Sequence, residues 1–290
     1  MISESLYPYL LQPVYKDYIW GGSRLGRVFS RPGVKRCAES WEISDRPEGD
    51  TPVRNGPCRG TPLRNMVSTL RRDLLGSDAM RTPGNPAARE PAFPLLIKLI
   101  DAKQRLSVQV HPNERGSAIT GGEPKTEMWY ILDAAPHSIV YDGLRKGIGP
   151  KAFADALDAK RLGEVLHPLP VTPGKAIFIP GGRVHAIGEG CLLLEVQQSS
   201  NTTFRVYDWD RRDAAGKPRP LHVDAAMKAI NWSEPPARLI TPRARHTSGR
   251  NVTLSVLRCP YFAIREYRLA EPRTINNSGR SFHAYFVVSG

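Results

Sequence analysis

Ser107, Gln109 and His111 occupy alternate positions in the stretch LSVQVHP, residues 106–112. Strand side chains alternate between two faces, so these three polar groups share one face and Leu106, Val108 and Val110 share the other. A polar row ending at Pro112 is not what a strand buried in an apolar core presents. Two positions apart, Gln109 and His111 bring an amide oxygen and an imidazole nitrogen to one place, and both are donors a divalent metal ion accepts. A lone strand histidine is more often a hydrogen-bonded core or surface residue, so this reading needs further ligands. A second pattern offers one. GKAIFIPGGRVH, from Gly174 to His185, runs Gly, five residues, Pro, one residue, Gly, two residues, His. The other histidines, His137, His167, His222, His246 and His283, have no such context and read as ordinary.

The Gly174–His185 run resembles the second signature of the cupins, jelly-roll barrels that hold a metal inside the barrel mouth. Their first signature opens His-x-His, and Gln109-Val110-His111 stands in its place here. The resemblance implies Gln109, His111 and His185 as ligands, with Glu127 of PKTEMWY as the carboxylate. Borderline Zn²⁺ accepts one amide oxygen, two imidazoles and one carboxylate, with water completing the shell. One zinc ion per chain is the expectation.

A wider set of segments is similar to type I mannose-6-phosphate isomerase in its short bacterial form. WGG at 20–22, ESWEIS at 39–44, FPLLIKLIDAKQRLSVQVHP at 93–112, PKTEMWY at 124–130 and GGRVHAIGEGCLLLEVQQSSNTTFRVYDWDR at 181–211 occur in that family's order. They touch most of residues 14–211; the last 80 or so residues match only in general character. The resemblance puts the zinc ligands on Gln109, His111, Glu127 and His185, and active-site basic residues on Lys98, Lys125 and Arg205. It puts an active-site glutamate on Glu195, a pocket tryptophan on Trp20, and Ser107 on the substrate side. Two positions depart from the longer enzymes: Pro124 stands where they have histidine, and Asn201 where they have aspartate. A ring-opening group would have to be found elsewhere.

The implied reaction interconverts mannose 6-phosphate and fructose 6-phosphate through a cis-enediol. The developing enediolate needs charge stabilisation and a base. Lys125 and Glu195 are rival bases, Arg205 is a clamp for oxyanions, and Lys98, alone in an apolar strand, binds phosphate with Arg205 if it points into the cavity. Two other functions fit the same motifs: an iron cupin dioxygenase, and a cupin that binds a sugar phosphate without catalysis. The amide at Gln109 speaks against the first; Pro124 and Asn201 motivate the second. Glu39 and Glu42 read as solvated.

The elements that must position these groups are mostly strands. The chain has 290 residues, 40% hydrophobic and 24% charged, with 26 Pro and 25 Gly, which suits short strands and turns. Strands are expected at AESWEIS, FPLLIKLIDA, MWYIL, HSIVYDGL, KAIFIP, VHAIG, CLLLEVQQ, TTFRVYDW, TLSVLRC, FAIREYRL and FHAYFVVSG, with helices over 61–75, capped by Thr61, and over 149–165. RTPGNPAAREP (81–91) and ITGGEPKTE read as loops. The expected fold is mainly β: a cupin (double-stranded β-helix, or jelly roll) over 1–225 with helical insertions near 61–75 and 149–165. A smaller β unit follows over 226–290, with an incomplete second cupin as one reading.

No stretch of 18 apolar residues is present, and the N-terminus lacks the basic region and apolar core of a signal peptide. The four cysteines form no CxxC pair and read as reduced, cytoplasmic thiols. A net charge of +13 favours anionic ligands such as a sugar phosphate. The basic residues are dispersed and form no nucleic-acid signature, so neither nucleic acid nor membrane is expected as partner, and the chain is expected as a monomer or weak homodimer.

Overall fold

The computed structural model describes residues 6–31, 33–79 and 92–290; the loop expected at 81–91 lies outside the described residues. Two antiparallel sheets face each other. In spatial order the first contains β1 (Val14–Lys16), β2 (Glu39–Ile43), β5 (Leu95–Ala102), β12 (Cys191–Gln198), β7 (Glu127–Ala134) and β10 (Ala176–Ile179). The second contains β13 (Phe204–Tyr207), β6 (Val108–Val110), β11 (His185–Ile187), β8 (Ile139–Leu144) and β9 (Leu166–Pro170). A small hairpin pairs β3 (Asp45–Arg46) with β4 (Gly49–Asp50), and β14 (Arg243–Ser248), β15 (Asn251–Arg258) and β16 (Ala263–Arg268) make a third sheet. This is the mainly β, jelly-roll architecture expected from the sequence. No helix among the described residues is long and apolar enough to cross a membrane.

Alternation assigns each strand an inner and an outer face. Between the sheets, Ile100, Trp129, Ile131, Ile177, Ile179 and Leu193 of the first meet Val140 and Ile187 of the second in a closed apolar floor. The outer face of the second sheet, with Val108, Val110, Val184, Ala186 and Val206, is covered by Phe153 and Ala156 of helix α5 (Pro150–Asp158) and by Ala226 and Ala229 of helix α6 (Val223–Ala229). Burying each valine or phenylalanine side chain there is worth roughly 1.5–3 kcal/mol. That layer presses the site-bearing strands inward. The outer face of the first sheet packs Ile97, Met128 and Val196 against Met66 and Val67 of helix α2 (Leu63–Leu70) and against Val256 and Phe262 of the third-sheet region.

Several local expectations change. The strand at LSVQVHP is only Val108–Val110, and Leu106 leaves its face to join the inner floor, where its amide donates to Ile187 O at 2.7 Å. Residues 61–75 form two helices. Arg71 takes a left-handed φ of 43° after α2, and α3 (Arg72–Ala79) follows, interrupted at Gly76 with φ of 80°. Thr61 is not the cap; Pro62 precedes Leu63 and no side-chain cap bond forms. The 149–165 helix ends at Asp158, because Lys160 turns the chain at φ of 57° ahead of a 3-10 turn over Leu162–Glu164. Residues 282–290 form no strand. Helices α1 (Arg24–Val28) and α4 (Glu114–Thr120), and strands β9 and β14, were not expected.

Candidate metal centre

Register brings the polar groups together. Across the second sheet, Arg205 pairs with Gln109, Gln109 with His185, and His185 with Asp142, so one row of inner-face side chains crosses four strands. Across the first sheet, Lys98 pairs with Glu195 and Glu195 with Trp129, while Gln197 pairs with Glu127. The two rows meet over the apolar floor.

His111, Glu127 and His185 each offer a ligand atom within 4.8 Å of the others, and all three are buried. His111 Nε2 lies 3.4 Å from Glu127 Oε2, and His185 Nε2 lies 3.5 Å from Glu127 Oε1. Both histidines donate their Nδ1 hydrogen to a backbone carbonyl, His111 to Thr202 O and His185 to Arg183 O, each at 2.8 Å. That fixes the tautomer and leaves both Nε2 lone pairs directed at the cluster, the arrangement metal-binding imidazoles use. Both Glu127 oxygens and His111 Nε2 are buried without a hydrogen-bond partner. Buried carboxylates are ordinarily satisfied, so an orphaned one facing two neutral imidazoles fits a cation. Gln109 presents Nε2 to His185 Nε2 at 3.3 Å. Exchanging its amide oxygen and nitrogen by a χ3 rotation would turn the oxygen toward the cluster.

Electrostatics agree. Burial, reinforced by Lys125, drives His111 down to about 3. Burial also lowers His185. Burial alone would raise Glu127, but Lys125 and His111 outweigh it and hold the carboxylate well below its usual range. Lys125 Nζ stands 3.1 Å from Glu127 Oε2. Asp142 is pushed up to about 7 by burial, against the opposing Arg183 charge.

A stability prediction follows for the metal-free protein. Unfolded, the two histidines take protons near 6.5; folded, both are held below that, His111 down to about 3. The unfolded chain therefore binds more protons below 6.5, and each histidine removes up to about 1.4 kcal/mol of stability per pH unit as pH falls through that window. Asp142, shifted upward, works the other way. The test is the difference between chains: denaturant melts of His111→Gln should show a shallower loss between pH 6.5 and 4.5 than the unaltered protein. Equal slopes would contradict it.

The remaining site residues fall nearby. Lys98, 5% exposed, points inward, but its Nζ lies 3.5 Å from Glu39 and 3.4 Å from Glu195. Burial alone would lower Lys98; Glu39 and Glu195 outweigh it and hold the ammonium above its ordinary value. Glu195, raised by burial and by Glu127, accepts from Trp129 Nε1 at 3.0 Å, and its Oε1 has no hydrogen-bond partner. Ser107 is buried, its Oγ 3.5 Å from Gln109 Oε1. Trp20 is buried in the floor, its ring 5.6 Å from that of Tyr18. Arg205 is half-buried, donating to Pro220 O at 2.9 Å while its Nε has no partner. Asn201 sits exposed against Glu48 and Glu123, two carboxylates at the rim.

Sequence reasoning missed Glu39, Gln197, Asp142 and Arg183. Glu39 is not solvated: it accepts from Trp41 Nε1 at 2.8 Å and faces Lys98. Glu42 is held by Arg31 at 2.8 Å. The signal for Glu39 was its place two residues before Trp41, on the same face of an alternating strand; for Asp142 none was visible locally.

Residues 9–136 match a sequence profile described as phosphomannose isomerase type I, catalytic domain. The chain is 34% identical over 286 residues to mannose-6-phosphate isomerase ManA of Bacillus subtilis (strain 168), covering 98% of this chain and 86% of that protein. It is 33% identical over 265 residues to a mannose-6-phosphate isomerase of Streptococcus mutans, covering 91% and 79%. The crystal structure of the mannose 6-phosphate isomerase from Bacillus subtilis matches with a TM-score of 0.78 at 30% identity, over 90% of this chain and 79% of that one.

Proposed function

Since the chain belongs to the type I phosphomannose isomerase family, whose reaction interconverts mannose 6-phosphate and fructose 6-phosphate, we propose that it performs this isomerisation at one zinc ion held by Gln109, His111, Glu127 and His185. The observation that carries the zinc reading is the buried Glu127 carboxylate, which takes no hydrogen bond and faces the Nε2 atoms of two imidazoles at 3.4 and 3.5 Å. Two nitrogens, a carboxylate and an amide oxygen suit zinc better than calcium or magnesium, which prefer all-oxygen shells.

Bound there, zinc would supply Lewis-acid stabilisation of negative charge developing on the sugar's C1 and C2 oxygens. The chain's own residues do the rest. Glu195, raised above an ordinary carboxylate, with Oε1 taking no hydrogen bond and 3.4 Å from Lys98 Nζ, takes the proton from one carbon and returns it to the next. Trp129 holds the other oxygen of that carboxylate in place. Lys125, paired with Glu127, sets a positive charge beside the oxyanion. Lys98, fixed between Glu39 and Glu195, orients the base and the sugar and stays charged. Arg205, paired with Gln109 across the sheet, and Ser107, 3.5 Å from the Gln109 amide oxygen, take the phosphate, and Trp20 packs in the apolar floor. Residues 1–225 form the cupin catalytic domain in this reading, and 226–290 a smaller β unit that buttresses it.

The test is turnover of mannose 6-phosphate to fructose 6-phosphate in a coupled assay. Activity should vanish on chelation and return with zinc. A zinc-replete sample that binds fructose 6-phosphate tightly but never turns over would instead mark a non-catalytic sugar-phosphate binder.

A further inference from the structure

His185 depends on a residue that touches neither substrate nor metal position. Arg183, two residues earlier in the GGRVH turn, is only 7% exposed. Its carbonyl accepts the His185 Nδ1 hydrogen at 2.8 Å. That bond sets the tautomer and the ring direction, so the imidazole is only as well placed as the carbonyl.

The carbonyl is in turn placed by the arginine's own side chain. Arg183 donates to Phe178 O of β10 at 3.1 Å and to Pro235 O, in the segment after α6, at 3.3 Å. It also donates to the Glu234 carboxylate. On the inner side its NH1 stands 3.6 Å from Asp142 Oδ2 of β8. Asp142 is fully buried, lies beside His185 in the β8–β11 register, and has no hydrogen bond to either oxygen. A buried carboxylate in that position has one evident use, to hold a cation against it. One planar guanidinium thus ties three separate parts of the chain to the turn that carries His185. Behind it lies a cavity of about 190 Å³, lined by Gly143, Asn231 and Pro236 among others, so nothing packed there would replace the side chain.

We propose that Arg183 is a positioning residue for His185, with Asp142 as the buried counter-charge that draws its guanidinium inward. This rests on His185 being a metal ligand. Loss of such an outer partner ordinarily weakens metal binding 10- to 100-fold.

The experiment follows zinc transfer from the zinc-loaded protein to a chromophoric chelator, with circular dichroism as the check on folding. Arg183→Met alone would strand the Asp142 charge, so the informative variants are the neutral pair Arg183→Met with Asp142→Asn, and Arg183→Lys. The lysine keeps the charge but cannot span Phe178, Pro235 and Glu234 together. Both should hold zinc roughly 10- to 100-fold more weakly than the unaltered protein, and both should regain most of their kcat, with an unaltered KM for mannose 6-phosphate, once saturated with zinc. His185→Ala is the control and should lose zinc outright. If His185→Ala binds zinc normally, the ligand assignment fails and this proposal with it. If His185→Ala loses zinc while either folded Arg183 variant retains it as tightly as the unaltered protein, the ligand stands and the positioning role is overturned.

Discussion

Glu127→Gln is expected to strip the protein of its metal and to lower kcat/KM by on the order of 10³-fold, the scale of losing several kcal/mol of transition-state charge stabilisation. The substitution keeps size and shape, so packing among Trp129, Ile179 and His185 should survive. What it removes is the single negative charge in the proposed ligand set. Both oxygens of that carboxylate are buried without hydrogen bonds, and Lys125 stands 3.1 Å from one of them. The glutamine therefore loses twice. It binds a divalent cation weakly, and it leaves the buried Lys125 without its partner, which costs roughly 3–5 kcal/mol when a buried pair is broken from one side. Metal content by elemental analysis, kcat/KM and the thermal midpoint should all fall together. Retained metal with activity within tenfold of the unaltered protein would contradict the reading.

The second large effect concerns the base. Glu195→Gln should lower kcat by roughly 10²- to 10⁴-fold, the contribution of a positioned acid–base group, with little change in KM. The glutamine oxygen can still accept from Trp129 Nε1, so the side chain should stay in place. Lys98 keeps Glu39 as a partner at 3.5 Å. The discriminating readout is exchange of the substrate's C2 hydrogen with deuterated solvent. Glu195→Gln should abolish that exchange, whereas Lys125→Met should slow turnover and still leave exchange detectable. The reverse outcome would make Lys125 the proton carrier and reduce Glu195 to a charge that orients Lys98.

Much of this site could be read from residue order alone, and the reason is periodicity. Gln109 and His111 share a strand face by alternation, and the Gly and Pro positions of GKAIFIPGGRVH mark the turn that delivers His185. Glu127 was reachable only through family likeness, because nothing local distinguishes it from other carboxylates that begin a strand. Asp142 was out of reach. In HSIVYDGL it resembles a polar tooth facing water, and only antiparallel pairing with His185 turns it inward. Register between distant strands is not written in either strand by itself.

The same limit explains the misplaced elements. FHAYFVVSG alternates like a strand, yet no strand among the described residues pairs with it, and Tyr285 and Val287 remain 61% and 73% exposed. β14 is the converse: RARHTS is exposed throughout and lacks an apolar period, so only its pairing with β15 makes it a strand. Helix α4 was legible and overlooked. Asn113 caps it by accepting from Gly116 N at 2.8 Å, and Gly121 ends it at φ of 74°.

The central claim is that an amide, two imidazoles and a carboxylate from three separate strands or strand ends converge on one ion. An anomalous-difference map collected across the zinc absorption edge, on crystals soaked with mannose 6-phosphate, tests it directly. The account predicts a single zinc peak roughly 2 Å from Gln109 Oε1, His111 Nε2, Glu127 and His185 Nε2, with the sugar's C1–C2 end toward that peak and its phosphate near Arg205. A zinc-loaded crystal with no peak among those four side chains, or with the peak elsewhere, would contradict it.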